Sequence, residues 1–393
     1  MKFFHTADWH LGKLVQGVYM TEDQRHIMQE FVQAVEDEQP DAVIISGDLY
    51  DRAVPPTEAV HLLDEILDKI VLQLNIPVLA IAGNHDSPSR LDFGSKIMRE
   101  NGLYIVGQLS KHNKPVVLKD KHGEVHFHLI PYCDPSVVRN VFGDDQIRNH
   151  NDAMGKIIEQ IEAAMEPDAR HVFVGHAFVT PYGEEEANTS ESERPLAIGG
   201  SEYVDARLFK NFHYTALGHL HQAHYVNEPT IRYAGSPLKY SISEEYHRKG
   251  FLMVEMDGEG NIELEKKWLT PKRDIRTVEG SLKEILQQSI NEDYVFVKLT
   301  DETPVLSPME KIRSVYPNAM HVERKINFAK SGDSNQVKSV ERTKMTDTEL
   351  FQAFYKEVKG YEPDEETIKM FQGVLNDLLT DQNETKDITH VTN

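Results

Sequence analysis

Apolar positions along this chain follow two rhythms. Short runs of Val, Ile, Phe and Leu, closed by Gly, Asp, Asn or His, predict strands over 2–6, Ala42–Ser46, Pro77–Ile81, Val125–Ile130, Val172–Gly175, His213–Leu217 and Phe251–Met256. Between them, apolar residues three and four apart predict helices near 22–38, 57–72, 88–100 and 151–165. Such alternation argues an α/β layered domain whose polar residues gather at strand ends. In the helix predicted over 57–72, positions 59, 60, 62, 63, 66, 67, 70 and 71 are apolar. They cover about half the circumference, wider than the ~100° stripe that faces a core. The surplus suits either deep burial or a face shared with a second copy of the chain.

After Trp268-Leu269-Thr270-Pro271 the pattern shortens. Strands near 274–278, 294–299 and 319–324, with helices 281–290 and 308–315, predict a small separate α/β domain. The assigned segments are 1–270 for the main domain, 271–328 for the small one and 329–345 for a polar, aperiodic linker. A helix pair over 346–380 and a disordered tail over 381–393 complete the division. The first helix of the pair carries Leu350, Phe351, Phe354, Tyr355 and Val358 and stops at Gly360. The second follows Pro363-Asp364 and carries Phe371, Val374, Leu375, Leu378 and Leu379. Two short helices do not bury enough apolar surface to stand alone, so the pair is expected to dock, and the linker before it favours a partner. The acidic stretch Gly183–Glu193 reads as a solvated loop.

Composition narrows the function. There are 64 acidic and 42 basic residues, a net charge of −22, which argues against coating nucleic acid by bulk charge. The single cysteine, Cys133, excludes an internal disulfide and fits a reducing cytosol, so a cytoplasmic protein is expected. No apolar run approaches the roughly 20 residues of a membrane span. The opening residues read as a strand entering a polar site, not as a signal peptide.

Five polar segments each follow a predicted strand: Asp8-Trp9-His10, Gly47-Asp48-Leu49-Tyr50-Asp51-Arg52, Gly83-Asn84-His85-Asp86, Gly175-His176 and Gly218-His219-Leu220-His221. Spacing of two places Asp8 with His10, and His219 with His221, on one side of an extended segment. Carboxylate, imidazole and amide oxygen suit Mn, Fe or Zn, and seven such ligands suit two ions. Asp8, His10, Asp48 and His221 would hold the first ion. Asp48 would bridge to a second held by Asn84, His176 and His219. Two divalent ions against two carboxylates leave a local positive charge that can hold a phosphodiester on an acidic protein. His85 beside Asn84 is the candidate general acid, with Asp51 or Asp86 as its carboxylate partner. Arg52, Lys13 and Arg90 are candidate contacts to phosphate oxygens.

These segments resemble the calcineurin-like metallophosphoesterases, whose signature they follow over about residues 1–240. The resemblance implies a two-sheet sandwich flanked by helices, a two-metal site with the ligand roles above, and Asp51 as the partner of His85. Within that superfamily, His5-Thr6-Ala7-Asp8-Trp9-His10-Leu11-Gly12, Asn84-His85-Asp86-Ser87 and Tyr233-Ala234-Gly235-Ser236 resemble the SbcD family. So do the small second domain and the helix pair. That family implies a Mn2+-dependent DNA nuclease subunit, exonuclease on duplex ends and endonuclease on single strands or hairpins. It also implies a homodimer, a capping domain and a C-terminal segment bound to an SbcC-type SMC-like ATPase. Related archaeal and eukaryotic nucleases often carry His at the position of Asp51, a departure that bears on the His85 relay. A phosphatase or small-substrate phosphodiesterase on the same site is the alternative, and the segment after 272 separates the two.

Overall fold

The computed structural model describes residues 1–182, 202–301, 303–324 and 346–375. Two six-stranded sheets form its body. The first runs in the order Ile262–Trp268, Gly250–Met256, Lys2–Thr6, Ala42–Ile45, Val78–Ile81, Leu103–Val106. The second runs Tyr225–Val226, Glu228–Tyr233, Tyr214–Gly218, Arg170–His176, Gly123–Ile130, Val116–Asp120. In each sheet four successive strands are parallel, and antiparallel pairing is confined to the outer strands.

Side-chain alternation explains why the sheets stack. Phe3, Ala42, Ile44, Leu79 and Ile81 of the first sheet meet Val125, Phe127, Val172, Val174, Tyr214 and Ala216 of the second in one apolar layer. Phe3 packs edge-on against Phe127 and Tyr214 at centroid distances of 5.7 and 5.6 Å. The intervening residues Phe4, Val43, Ile45, Val78 and Ala80 turn outward, against Ile27, Met28, Phe31 and Val35 of helix Thr21–Glu38 and Leu62, Leu63 and Ile66 of helix Thr57–Leu67. On the far side Phe173, Leu217 and Ile231 meet Met154, Ile157, Ile158 and Ile161 of helix His150–Glu162. Both faces of both sheets are covered, as parallel strands require. The result is the two-sheet sandwich flanked by helices.

Several predicted elements change at their ends. The helix predicted over 57–72 is α-helical over Thr57–Leu67 and widens to π-type bonding over Asp68–Gln73. The helix predicted over 88–100 breaks into Pro88–Asp92, Ser95–Met98 and a 3-10 turn, because Phe93 is extended and Gly94 has φ +73°. Strands Leu103–Val106, Val116–Asp120, Glu228–Tyr233 and Ile262–Trp268 lie where no strand is predicted. They pair at or next to sheet edges, where half-exposed strands such as Ile262–Trp268 leave a weak apolar signal; Leu103–Val106 is apolar throughout but only four residues long.

Residues 271–324 contain a three-stranded sheet, Ile275–Gly280, Tyr294–Leu299 and His321–Arg324. Val278, Ile285, Val297, Ile312 and Tyr316 form its core. Its predicted helices shorten to Leu282–Ile285 and Pro308–Ile312. The sheet belongs to the same compact unit as the sandwich. Buried Asp23 of the first helix ties it down, accepting two 2.9 Å bonds from Arg273 and one of 2.7 Å from the Tyr294 hydroxyl.

A second unit contains helix Asp347–Lys359 and helical residues 365–375. Thr346 and Glu349 form a capping box at the start of its first helix, and Gly360, at φ +81°, ends it. Phe351 stacks on Phe371 with centroids 4.1 Å apart. The segments assigned to linker and tail, the acidic stretch 183–193, and Leu378 and Leu379 lie outside the described residues, as does the side chain of Val358.

Candidate metal centre and its comparison with known proteins

Five parallel strands, three from one sheet and two from the other, end at the same rim of the sandwich. The polar segments leave from those ends, where open α/β sheets place ligands. The loops are zipped by backbone bonds: Asp8 N–H donates to the Gly47 carbonyl at 3.1 Å and His10 N–H to that of Asp48 at 2.9 Å. Asp8, His10, Asp48 and His219 have φ of +54°, +45°, +50° and +109°. Left-handed backbone is costly for such residues and persists where surrounding structure imposes it. The close approach also explains Gly83, where a Cβ would come within 2.1 Å of Asp48 Oδ1.

Within this rim the donors form overlapping groups. Asp8, His10 and His221 make one, and Asp8, Asp48 and His176 another; in each, one ligand atom per residue lies within 4.8 Å of the others. Asn84 Oδ1 is 2.9 Å from His176 Nε2, which also stands 3.4 Å from Asp48 Oδ2. His219 is joined less directly: its backbone N–H donates to Asp8 at 3.0 Å, and its ring lies 5.5 Å from that of His176.

The electrostatics fit a cation. Asp8 and Asp48 are fully buried, and the ion pairs they make among the described residues are with histidines. Burial raises the Asp8 carboxyl to about 7. Burial opposes charge on His176 too, yet the Asp48 and Asp8 carboxylates outweigh it and lift the imidazole to about 9. Burial holds His10 and His219 well below the usual imidazole value. His10 Nδ1 is buried without a hydrogen bond, and His10 Nε2 faces His221 Nε2 at 3.1 Å. Uncompensated carboxylates beside converging imidazoles are the donor set a divalent metal satisfies.

The remaining candidates take distinct posts. His85 Nδ1 donates to the main-chain carbonyl of Asp51 at 2.7 Å, and its ring lies against His10. The Asp51 carboxylate instead pairs with Lys13 at 2.8 Å, while a donor atom of each of His10, Asp51 and His85 falls within 4.8 Å of the others. Asp86 is buried and accepts backbone N–H groups of Leu49, Tyr50 and Gly83 at 3.0–3.1 Å, holding two ligand loops together rather than meeting His85. Arg52 and Arg90 are exposed.

Sequence reasoning missed two supports. The Glu244 carboxylate accepts from His221 Nδ1 at 3.0 Å and from buried Lys249 at 2.5 Å. This fixes the tautomer that turns His221 Nε2 to the centre. Gln24 donates to the Trp9 and His10 carbonyls and accepts from Gly12 N–H, bracing the first ligand loop. Glu244 sits in Ser241-Ile242-Ser243-Glu244-Glu245, which reads as ordinary polar loop; no local signal marks it.

The profile described as Calcineurin-like phosphoesterase matches residues 1–223, and that described as Type 5 capsule protein repressor C-terminal domain matches 271–359. The SbcD subunit of the nuclease SbcCD from Staphylococcus epidermidis is 36% identical over 360 residues, covering 91% of this chain and 93% of the relative. Its counterpart from Staphylococcus saprophyticus is 33% identical over 386 residues, covering 96% and 99%. The chain therefore belongs to the calcineurin-like phosphoesterase family and, within it, to the SbcD family. That fold implies divalent metals, and the His/Asp groups at the rim are able to bind them. No described helix is long and apolar enough to cross a membrane.

Proposed function

We propose that this chain is the nuclease subunit of an SbcCD-type complex, hydrolysing DNA phosphodiester bonds in repair, replication and recombination. The convergence of seven donor residues from five strand ends carries the reading, and the relatives named as SbcD subunits of the nuclease SbcCD support it. Asp8, His10, Asp48 and His221 would hold one cation, and Asp48, Asn84, His176 and His219 a second; Mn2+ would suit this mixed imidazole–carboxylate set. Bound there, the ions supply an activated water and neutralise charge on the phosphate.

The chain's own residues do the rest. His85, oriented by the Asp51 carbonyl, gives its proton to the departing 3′ oxygen. Exposed Arg52 and Arg90, with Lys13 once released from Asp51, steer the phosphate backbone. The activity is 3′–5′ exonucleolytic on duplex ends and endonucleolytic on single strands or hairpins, in the cytoplasm.

Residues 1–270 act as the nuclease domain, 271–328 as a cap, and 346–380 as the docking segment for an SMC-like ATPase, joined by 329–345. Exposed Leu350, Phe354, Met370 and Val374 support the docking role. Exposed Val60, Leu72 and Phe93, around an apolar groove of about 530 Å³, support a homodimer.

The discriminating measurement gives the full chain Mn2+ and compares duplex DNA ends with a nucleotide monoester. Release of nucleotides from DNA supports the reading; turnover of the monoester alone replaces it with a phosphatase. Deleting 346–380 should abolish ATPase binding and spare Mn2+-dependent cleavage of single-stranded DNA.

A further inference from the structure

A second histidine-rich cluster lies away from the rim, on the outer face of the second sheet. His126 and His128 share one face of strand Gly123–Ile130, and His171 is the direct neighbour of His126 on strand Arg170–His176. All three are nearly buried. Their hydrogen bonds fix the tautomers. His171 Nε2 faces the Glu166 carbonyl at 3.0 Å, so it carries the proton. His171 Nδ1 is then bare and accepts from His128 Nε2 at 3.0 Å. These two rings are committed to each other and to the backbone.

His126 is placed differently. Its ring stands edge-on to His171, and its Nε2 lies 3.0 Å from Glu124 Oε2. Glu166 approaches from the loop after helix His150–Glu162. One donor atom from each of Glu124, His126 and Glu166 lies within 4.8 Å of the other two. Ligands at about 2.1 Å around a tetrahedral Zn2+ stand about 3.4 Å apart, so small rotations of two glutamate side chains close the set. His126, His128 and Glu166 also line a cavity of about 630 Å³, which gives water or a small anion access to a fourth position.

We infer that Glu124, His126 and Glu166 form a separate binding site for a first-row divalent cation such as Zn2+, on the outer face of the second sheet and away from the rim. On binding, His126 holds its ring proton on Nδ1, and Nε2, bare in that tautomer, takes the metal in place of the bond to Glu124. The His171 bond to the Glu166 carbonyl holds the loop ready, so the cation staples the helix-to-strand loop to strand Gly123–Ile130. Lys119, 2.8 Å from Glu124 and largely exposed, is the resident counter-ion it displaces.

The test uses the full chain carrying Asp8→Ala and Asp48→Ala, which strips the rim of both carboxylates, titrated with Zn2+ by calorimetry and by thermal melting. One zinc equivalent should remain, with a rise in Tm, and anomalous scattering at the zinc edge should place it between Glu124, His126 and Glu166. Adding Glu166→Gln should weaken it at least tenfold, and His126→Ala should remove it. In the otherwise native chain, Glu166→Gln should leave DNA cleavage unchanged. Glu166 is exposed and the change is isosteric, so folding is not at issue. No residual equivalent, or one indifferent to Glu166→Gln, overturns the inference.

Discussion

The two histidine groups, one at the rim and one on the outer sheet face, set the same side chain in different surroundings. At the rim His10, Asp8, Asp48 and His219 sit on strained, left-handed backbone beyond strand ends, and their imidazoles face buried carboxylates. On the outer face His126, His128 and His171 sit on regular strands, and their rings are held by one another, by a carbonyl and by a half-exposed glutamate. Imidazole is common to both. What differs is its surroundings: at the rim buried negative charge without a fixed counter-ion calls for cations, whereas on the outer face His128 and His171 satisfy each other in series and leave His126 to the proposed site with Glu124 and Glu166.

The largest effect should come from Asp48→Ala. It removes the carboxylate common to both proposed ions, so DNA cleavage should vanish and elemental analysis should show metal lost from the rim. Retained metal with full activity would erase the contrast. His85→Ala should cut the rate by about 10²–10⁴-fold, the usual worth of a general acid, with rim metal near wild type. Metal loss in that variant would make His85 a ligand instead.

Glu244→Gln tests whether the buried carboxylate orients the rim. Without it the His221 tautomer is no longer imposed, and metal affinity should fall about 10–100-fold, while nitrogen NMR of His221 should show mixed tautomers. Unchanged affinity with a fixed tautomer would assign that duty elsewhere.

The smallest effect on cleavage belongs to the outer face, where the readout is stability. Burial, aided by His171, holds the His128 imidazole down at about 3. Because the ordinary value is near 6.5, the unfolded chain takes up a proton that the folded chain refuses. Stability should therefore fall as pH drops from 6.5 towards 3, by up to about 1.4 kcal/mol per pH unit for this group. His128→Gln, which cannot titrate there, should flatten that slope in denaturant midpoints measured against pH, and DNA cleavage at neutral pH should not change.

The sequence by itself determined the alternation of strands and helices, because both sheet faces are buried and their strands read as unbroken apolar runs. It also marked the polar residues that the fold gathers at the rim: Asp8, His10, Asp48, Asn84, His176, His219 and His221 each announce themselves by a polar type after a glycine or a strand end. Tertiary structure alone decided their surroundings. Local pattern cannot say that Asp86 would be taken by three backbone amides, that His85 would meet the carbonyl of Asp51 rather than its carboxylate, or that Glu244 would reach His221. Each of those contacts depends on the direction in which a loop leaves its strand, and that direction is set by packing against another loop some 23–37 residues away in the chain.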